Sequence, residues 1–158
     1  MNTLGTNQPL IAVGDTDGLI AVLSSEDANH EKAVSTVVLL LQHDAQTVFP
    51  LTTITETITT LKRKLGRVDL AEKVVKQITS GTLSIENVDT DMLNEALKVF
   101  NPKGSKQNTL FDALVVATAK KLNTKVIFST DHWYEKLGFI LAVNLFNDQN
   151  KKHGILFE

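Results

Sequence analysis

The sequence predicts an α/β fold, a three-layer sandwich in which helices cover both faces of a mostly parallel central sheet. Two observations predict it. Short apolar runs of strand length recur along the chain, in Leu10-Ile11-Ala12-Val13, Thr47-Val48-Phe49 and Lys125-Val126-Ile127-Phe128, and such runs suit strands buried on both faces. Between them lie longer segments whose apolar residues recur at helical spacing. Strands that alternate with helices imply crossover connections, and hence a parallel sheet.

The elements follow in order. Leu10–Val13 is a buried strand closed by Gly14-Asp15. Residues 29–43 form a helix, with Ala33, Val34, Val37, Val38, Leu40 and Leu41 on one broad apolar face. Thr47-Val48-Phe49 is the second strand, ended by Pro50. Residues 51–65 pull in two directions. Their threonines favour strand, but Ile54, Ile58, Leu61 and Leu65 share one helical face, and the spacing decides for helix. Together with a helix over 68–79, stopped by Ser80-Gly81, this makes a helical hairpin at about 53–79. Leu83-Ser84-Ile85 is a weak strand, residues 90–100 a helix ending before Asn101-Pro102, and 103–108 a polar loop. A helix over 110–122, the strand 125–128 and a short helix from His132 complete the pattern.

A length of 158 residues fits a single domain spanning 1–158, with 42% hydrophobic and 22% charged residues. The absence of cysteine excludes disulfides, thiolate zinc sites, iron–sulfur clusters and cysteine nucleophiles. The longest apolar runs, Val37–Leu41 and Phe139–Val143, are far shorter than the roughly 20 residues of a membrane-spanning helix. The opening Met1-Asn2-Thr3-Leu4-Gly5 has no signal-peptide pattern, so a cytoplasmic location is expected. A formal net charge of −2 argues against a protein that coats nucleic acid.

In a parallel sheet, ligands bind beyond the carboxyl ends of the strands. Asp15 follows the first strand, with Asp17 two residues on; Glu56 begins the helix after the second; Asp131 follows the strand 125–128; Asp112 lies in the first turn of the helix after Thr109. Each has a bland explanation. Asp15, Asp17 and Asp131 can cap helices, Asp17-Gly18 can make a turn, and Thr53-Ile54-Thr55-Glu56 and Thr109-Leu110-Phe111-Asp112 both match capping-box spacing. Jointly, four acids on four segments face one sheet edge, where their repulsion calls for a cation. Oxygen-only ligands select Mg²⁺ or Mn²⁺, and such a cluster suits metal-assisted phosphodiester hydrolysis. With these acids neutralised by metal, the remaining surface is mildly basic, and the formal −2 is compatible with a nuclease.

Over roughly residues 10–146 the chain resembles the PIN-domain ribonucleases, in particular the VapC-like toxins of bacterial and archaeal type II toxin–antitoxin pairs. Val13-Gly14-Asp15-Thr16-Asp17-Gly18-Leu19-Ile20-Ala21 matches the family opening, and Asp27-Ala28-Asn29-His30-Glu31-Lys32-Ala33 the start of its second helix. Thr53-Ile54-Thr55-Glu56 matches the segment of the family glutamate. Leu110-Phe111-Asp112-Ala113-Leu114-Val115-Val116-Ala117-Thr118-Ala119 carries the third acid, and Ser129-Thr130-Asp131-His132-Trp133 the last. The resemblance implies a PIN-like fold. It also implies that Asp15, Glu56, Asp112 and Asp131 bind metal and that Ser129 supports the last acid. RNA would be cut to a 5′-phosphate and a 3′-hydroxyl by a homodimer held in check by a small antitoxin. The chain departs from the family pattern in three respects: Gly14 replaces an apolar residue, Asp17 is an extra carboxylate, and the glutamate segment is unusually threonine-rich.

Lys62-Arg63-Lys64 with Arg67 is the densest basic cluster, either an RNA-backbone contact through Lys62, Arg63 and Arg67 or a solvated helix face. Lys120-Lys121, Lys125 and Lys151-Lys152 read as surface. His30, His43, His132 and His153 form no metal-spacing motif. Trp133 and Tyr134 either stack on an unpaired base or anchor a short helix. Two other functions compete with the nuclease. Asp15-Thr16-Asp17-Gly18 resembles the opening of haloacid dehalogenase-type phosphatases, with Asp15 as nucleophile and Asp17 as acid–base, although Leu19 stands where that motif wants threonine. The other is a non-catalytic PIN scaffold that binds RNA or protein.

Overall fold

The computed structural model describes residues 8–146; His153 and Lys151-Lys152 lie outside them. Five strands, β1 (Ile11–Gly14), β2 (Gln46–Pro50), β3 (Ser84–Glu86), β4 (Val126–Phe128) and β5 (Ile140–Leu141), form one sheet in the order β3-β2-β1-β4-β5. Every pairing is parallel. The connections carry α1 (Thr16–Leu23) and α2 (His30–Gln42), then α3 (Leu51–Arg63) and α4 (Val68–Thr79), then α5 (Thr90–Leu97) and α6 (Leu110–Lys121), and finally α7 (Trp133–Lys136). A single 3₁₀ turn, Ala142–Asn144, follows β5.

The period-two alternation of strands builds the three layers. In β1, Ala12 packs with Ala21, Ala33 and Leu40 from α1 and α2, while Val13 packs with Val115, Val116 and Ala119 from α6. In β4, Val126 and Phe128 join the first set and Ile127 the second. Both faces of the central strands are therefore covered, which is why these short segments read as continuous apolar runs. The α3–α4 hairpin closes a further cluster in which Ile54, Leu61, Leu70 and Val74 meet Leu19, Ile20 and Phe49.

Residues 51–65 are helical as far as Arg63, as the apolar spacing predicts. Thr57 is buried in that helix and donates its hydroxyl to the Thr53 carbonyl at 2.7 Å, which satisfies the polar atom without leaving the helix. Gly81, just beyond the α4 cap at Ser80, takes φ 71°, the left-handed geometry of a helix stop.

The structure differs from the sequence reading at four places. The helix expected over 90–100 ends at Leu97: the Lys98 and Val99 amides bond three residues back, to the Glu95 and Ala96 carbonyls, so the last turn tightens. Thr53 is no cap: α3 begins at Leu51, immediately after the last strand residue Pro50, and the Thr53 hydroxyl is buried without a partner. Asp17-Gly18 is no turn, since both residues lie inside α1. Finally, the apolar face of α2 is wider than the core it meets: Val34, Val38 and Leu41 are exposed.

Candidate active site

The chain starts at the centre of the sheet, moves out through β2 and β3, and returns to place β4 on the other side of β1. This reversal opens a crevice beyond the carboxyl ends of β1 and β4, the place where parallel sheets bind ligands. The Asp15 amide donates to the Phe128 carbonyl at 3.1 Å, which ties the two strand ends together. Gly18 lets α1 sit against that end, because a Cβ there would lie 2.4 Å from the Phe128 carbonyl oxygen. On the other side of Asp15, the Phe49 ring fills the space beside Gly14, where a Cβ would fall 2.1 Å from a ring carbon. The departure at Gly14 thus has a physical reason, since β2 supplies the bulk that β1 omits.

Asp15 is buried and caps α1. Its Oδ1 accepts from the Thr16 amide at 2.7 Å, and its Oδ2 accepts from the Tyr134 hydroxyl at 2.6 Å. Burial foremost, then the charge of Asp17, push the Asp15 carboxyl well above its ordinary value, against the pull of the Tyr134 hydrogen bond. Tyr134 is itself buried, and burial together with the Asp15 charge drives its hydroxyl upward. That hydroxyl therefore stays a donor.

Glu56 is half-buried on α3, and its Oε2 accepts from the Thr16 hydroxyl at 2.5 Å. Burial raises its pKa first and Asp112 adds to that, opposed by the Thr16 hydrogen bond and by Lys64. Asp112 lies in the first turn of α6, where its Oδ2 accepts from the Thr109 amide at 2.5 Å and the Thr109 hydroxyl at 3.1 Å. The capping reading of Asp112 is therefore correct. Capping does not exclude a second role, because burial and the charges of Asp131 and Asp17 still raise this carboxyl.

Asp17 serves as a latch. Its Oδ2 accepts from the Ser129 hydroxyl at 3.0 Å, the Thr130 amide at 2.7 Å and the Thr130 hydroxyl at 2.6 Å, and its Oδ1 accepts from the Gly18 amide. Ser129 in turn accepts from the Asp131 amide at 3.0 Å, so a chain of hydrogen bonds runs from α1 to the backbone of the last acid. Asp131 accepts from the Trp133 amide at 2.8 Å and from the Asn108 side chain at 3.5 Å. Both oxygens of Asp17 are thus engaged, Oδ2 by three donors and Oδ1 by one, which ties the side chain to the turn after β4. The phosphatase alternative needs it as a mobile acid–base.

The structure therefore brings Asp15, Glu56, Asp112 and Asp131 to one edge, where the charge of Asp112 reaches Asp15 and Glu56, that of Asp131 reaches Asp112, and that of Asp17 reaches Asp15, Glu56 and Asp112. The donor set is all oxygen, and the three raised carboxyls show an electrostatic cost that a hard cation would relieve. Each acid is meanwhile held by its own donors. Among the described residues, no three His, Cys, Asp or Glu side chains converge into a ready-made cage. The residues fit Mg²⁺ or Mn²⁺ in chemistry and in charge.

Other sequence candidates lie further out. Arg67 engages Asp69 and Glu26 in ion pairs at 2.8 and 3.3 Å, while Lys62 and Arg63 are exposed in the last turn of α3. Of that basic cluster it is Lys64 whose charge reaches Glu56. His30 bonds the Ala21 carbonyl and His132 pairs with Glu135. Sequence reasoning missed the supporting hydroxyls of Thr16, Thr130 and Tyr134, and the amide of Asn108. Nothing marks them beyond their being polar residues next to predicted acids.

The PIN domain family model matches residues 12–140. No curated protein matches the chain. Among solved structures, the chain is similar to Mycobacterium tuberculosis VapC20, described as a sarcin–ricin loop cleaving toxin. The TM-score is 0.69 at 21% identity, over 82% of this chain and 96% of that one. The parallel sheet, its switch point and the acids gathered there agree with a match that runs from β1 to β5, and the chain belongs to the PIN domain family.

Proposed function

We propose that this chain is a metal-dependent ribonuclease that hydrolyses RNA phosphodiester bonds, and that it is the toxin of a toxin–antitoxin pair. The observation that carries the reading is the set of three buried or half-buried carboxyls, Asp15, Glu56 and Asp112, raised by burial and by one another's neighbours at the switch point. A structural cap has no need of such company. Catalytic sites do gather like charges in this way.

Asp15, Glu56, Asp112 and Asp131 would hold Mg²⁺ or Mn²⁺, which supplies positive charge for phosphoryl oxygens and acidifies water. The remaining chemistry is positioning. Tyr134 and the Thr16 amide fix both oxygens of Asp15, Thr16 also orients Glu56, and the Asp17–Ser129 relay fixes the backbone of Asp131. Preorganised carboxylates of this kind need little rearrangement when substrate arrives.

The test is cleavage of single-stranded RNA by purified protein in Mg²⁺ or Mn²⁺, with EDTA and Asp112→Asn as controls. Products with a 5′-phosphate that vanish in both controls are expected. Intact RNA, or equal cleavage by Asp112→Asn, refutes the enzyme and leaves the non-catalytic scaffold.

The toxin role draws support from the fold shared with a toxin and from an apolar groove of about 360 Å³ between α1, α2 and β2, lined by Leu19, Val22, Val37, Leu41 and Phe49. Val34 and Val38 are also exposed on α2. A groove of this character suits the apolar face of a small antitoxin helix. Exposed Leu51, Leu65, Val68 and Val75 on the α3–α4 hairpin support a homodimer, to be checked by light scattering. No helix among the described residues is long and apolar enough to cross a membrane, and the RNA substrate makes the cytoplasm the expected location.

A further inference from the structure

We propose that the cavity between the α5–α6 loop and α7 is a pocket for one unpaired nucleobase of the RNA strand, next to the nucleotide whose phosphate lies at the acid cluster. This rests on the ribonuclease reading and adds to it a subsite. The cavity has a volume of about 280 Å³ and is lined by Val99, Phe100, Asn101, Asn108, Thr109 and Trp133. That is just below the roughly 300–1,000 Å³ of pockets for drug-sized ligands, the scale of a single base.

Three of its lining residues are bonded to the acids. The Thr109 amide donates to Asp112, the Asn108 side chain to Asp131 at 3.5 Å, and the Trp133 amide to Asp131 at 2.8 Å. The pocket is thus fixed to the catalytic edge. Its walls combine what base recognition needs: the aromatic side chains of Trp133 and Phe100 for stacking, and for a base edge the Nδ2 of Asn101, whose Oδ1 accepts from the Lys103 amide, and the Oδ1 of Asn108, whose Nδ2 donates to Asp131. The Trp133 ring is half-buried and set edge-on to buried Tyr134, with centroids 5.3 Å apart at 62°, so its orientation is held before a base arrives.

The rim supplies the matching charge. The stretch Pro102-Lys103-Gly104-Ser105-Lys106 carries two exposed lysines and no acid, which suits the phosphates on either side of an inserted base. A base within a duplex cannot enter without leaving its stack, so the pocket selects single strands and loops.

Trp133 is the only tryptophan in the chain and therefore reports on the pocket directly. Full-length Asp112→Asn protein, which does not consume the probe, is titrated with a short fluorescein-labelled single-stranded RNA. Anisotropy and Trp133 fluorescence are followed together. The expected result is quenching of Trp133 with the same midpoint as the anisotropy change. Adding Trp133→Ala should weaken binding about 5- to 150-fold, whereas Trp133→Phe, which keeps the ring and reports on folding, should stay close to the parent. An abasic substitution at one position of the RNA should reproduce the loss, and Trp133→Ala should no longer sense it. Saturating anisotropy with unchanged Trp133 fluorescence, or equal binding of the matching duplex with quenching, overturns the pocket and leaves the ribonuclease standing. Quenching by RNA that the wild-type protein never cleaves keeps the pocket and overturns the ribonuclease.

Discussion

Replacing Tyr134 with phenylalanine deletes one oxygen from a side chain that is 0% exposed. It leaves the ring packing against Val13, Val116 and Phe139 intact. The lost atom donates to Asp15 Oδ2 at 2.6 Å, and that carboxylate is buried, with only the Thr16 amide left to serve it. A hydrogen bond to a charged, buried acceptor is worth about 1.5–3 kcal/mol. At about 2–4 °C per kcal/mol for a chain of this size, Tyr134→Phe should lower Tm by about 3–12 °C. The pH dependence separates this cause from general loosening. The Asp15 carboxyl is raised in the folded state, so the native protein binds more protons than the unfolded chain above the ordinary carboxylate pKa. Stability therefore falls as pH rises through the raised value. The Tyr134 hydroxyl works against that rise, and its removal steepens the fall. The Tyr134→Phe deficit should be largest above the folded pKa of Asp15 and shrink as pH drops toward the ordinary carboxylate value. Paired urea or thermal unfolding curves across pH, in EDTA, measure this. A deficit that is the same at every pH, or below about 0.5 kcal/mol, would refute the claim that this hydroxyl supports the Asp15 charge.

Gly14→Ala forces a Cβ into the Phe49 ring and should cost about 1–3 kcal/mol. Phe49→Leu alone should also destabilise, but the double variant should recover part of the loss, with a coupling of about 0.5–3 kcal/mol in urea denaturation. Asp17→Asn keeps one acceptor oxygen where the latch uses two. It should cost about 1–3 kcal/mol of stability while retaining measurable RNA cleavage, whereas Glu56→Gln should abolish cleavage with the fold intact. A phosphatase using Asp17 would show the reverse. Thr53→Val replaces a buried hydroxyl that has no partner with a methyl of nearly the same shape, and should raise stability by about 1 kcal/mol, visible as an increase in Tm.

Much of the fold was legible because the core strands carry their signal locally. Ala12-Val13 and Val126-Ile127-Phe128 are buried on both faces, and an uninterrupted apolar run is the mark of that environment. β5 lies inside the apolar run Phe139–Val143, yet that run alone does not show a strand there. The strand is two residues long and exists only through its register with Val126 and Ile127. The exposed stripe on α2 was illegible for a related reason: periodicity reports which residues share a face, not how much of that face a neighbour covers. The same limit explains Thr53. A Thr-x-x-Glu spacing is identical at a helix start and one turn inside it, and only Pro50 ending β2 directly before Leu51 decides between them.

The acids themselves were legible because topology, not sequence distance, gathers them: Asp15 and Asp131 follow strands and Asp112 opens α6, whereas Glu56, expected to begin its helix, lies in the second turn of α3. Of their supports, Thr109 beside Asp112 and Ser129 beside Asp131 were legible, but the contacts between elements were not, because those partners are remote along the chain. Tyr134 reaches Asp15 across 119 positions, and Ser129 reaches Asp17 across 112. This difference bears on how Gly14 and Asp17 should be read. As letters in a motif both are deviations, one a missing side chain and the other a surplus charge. In the fold each is half of a pair whose other half lies on a different element, Phe49 on β2 and the Ser129-Thr130 turn after β4. A substitution at Gly14 or Asp17 toward the family pattern should therefore fail on its own, because the complementary residue would remain.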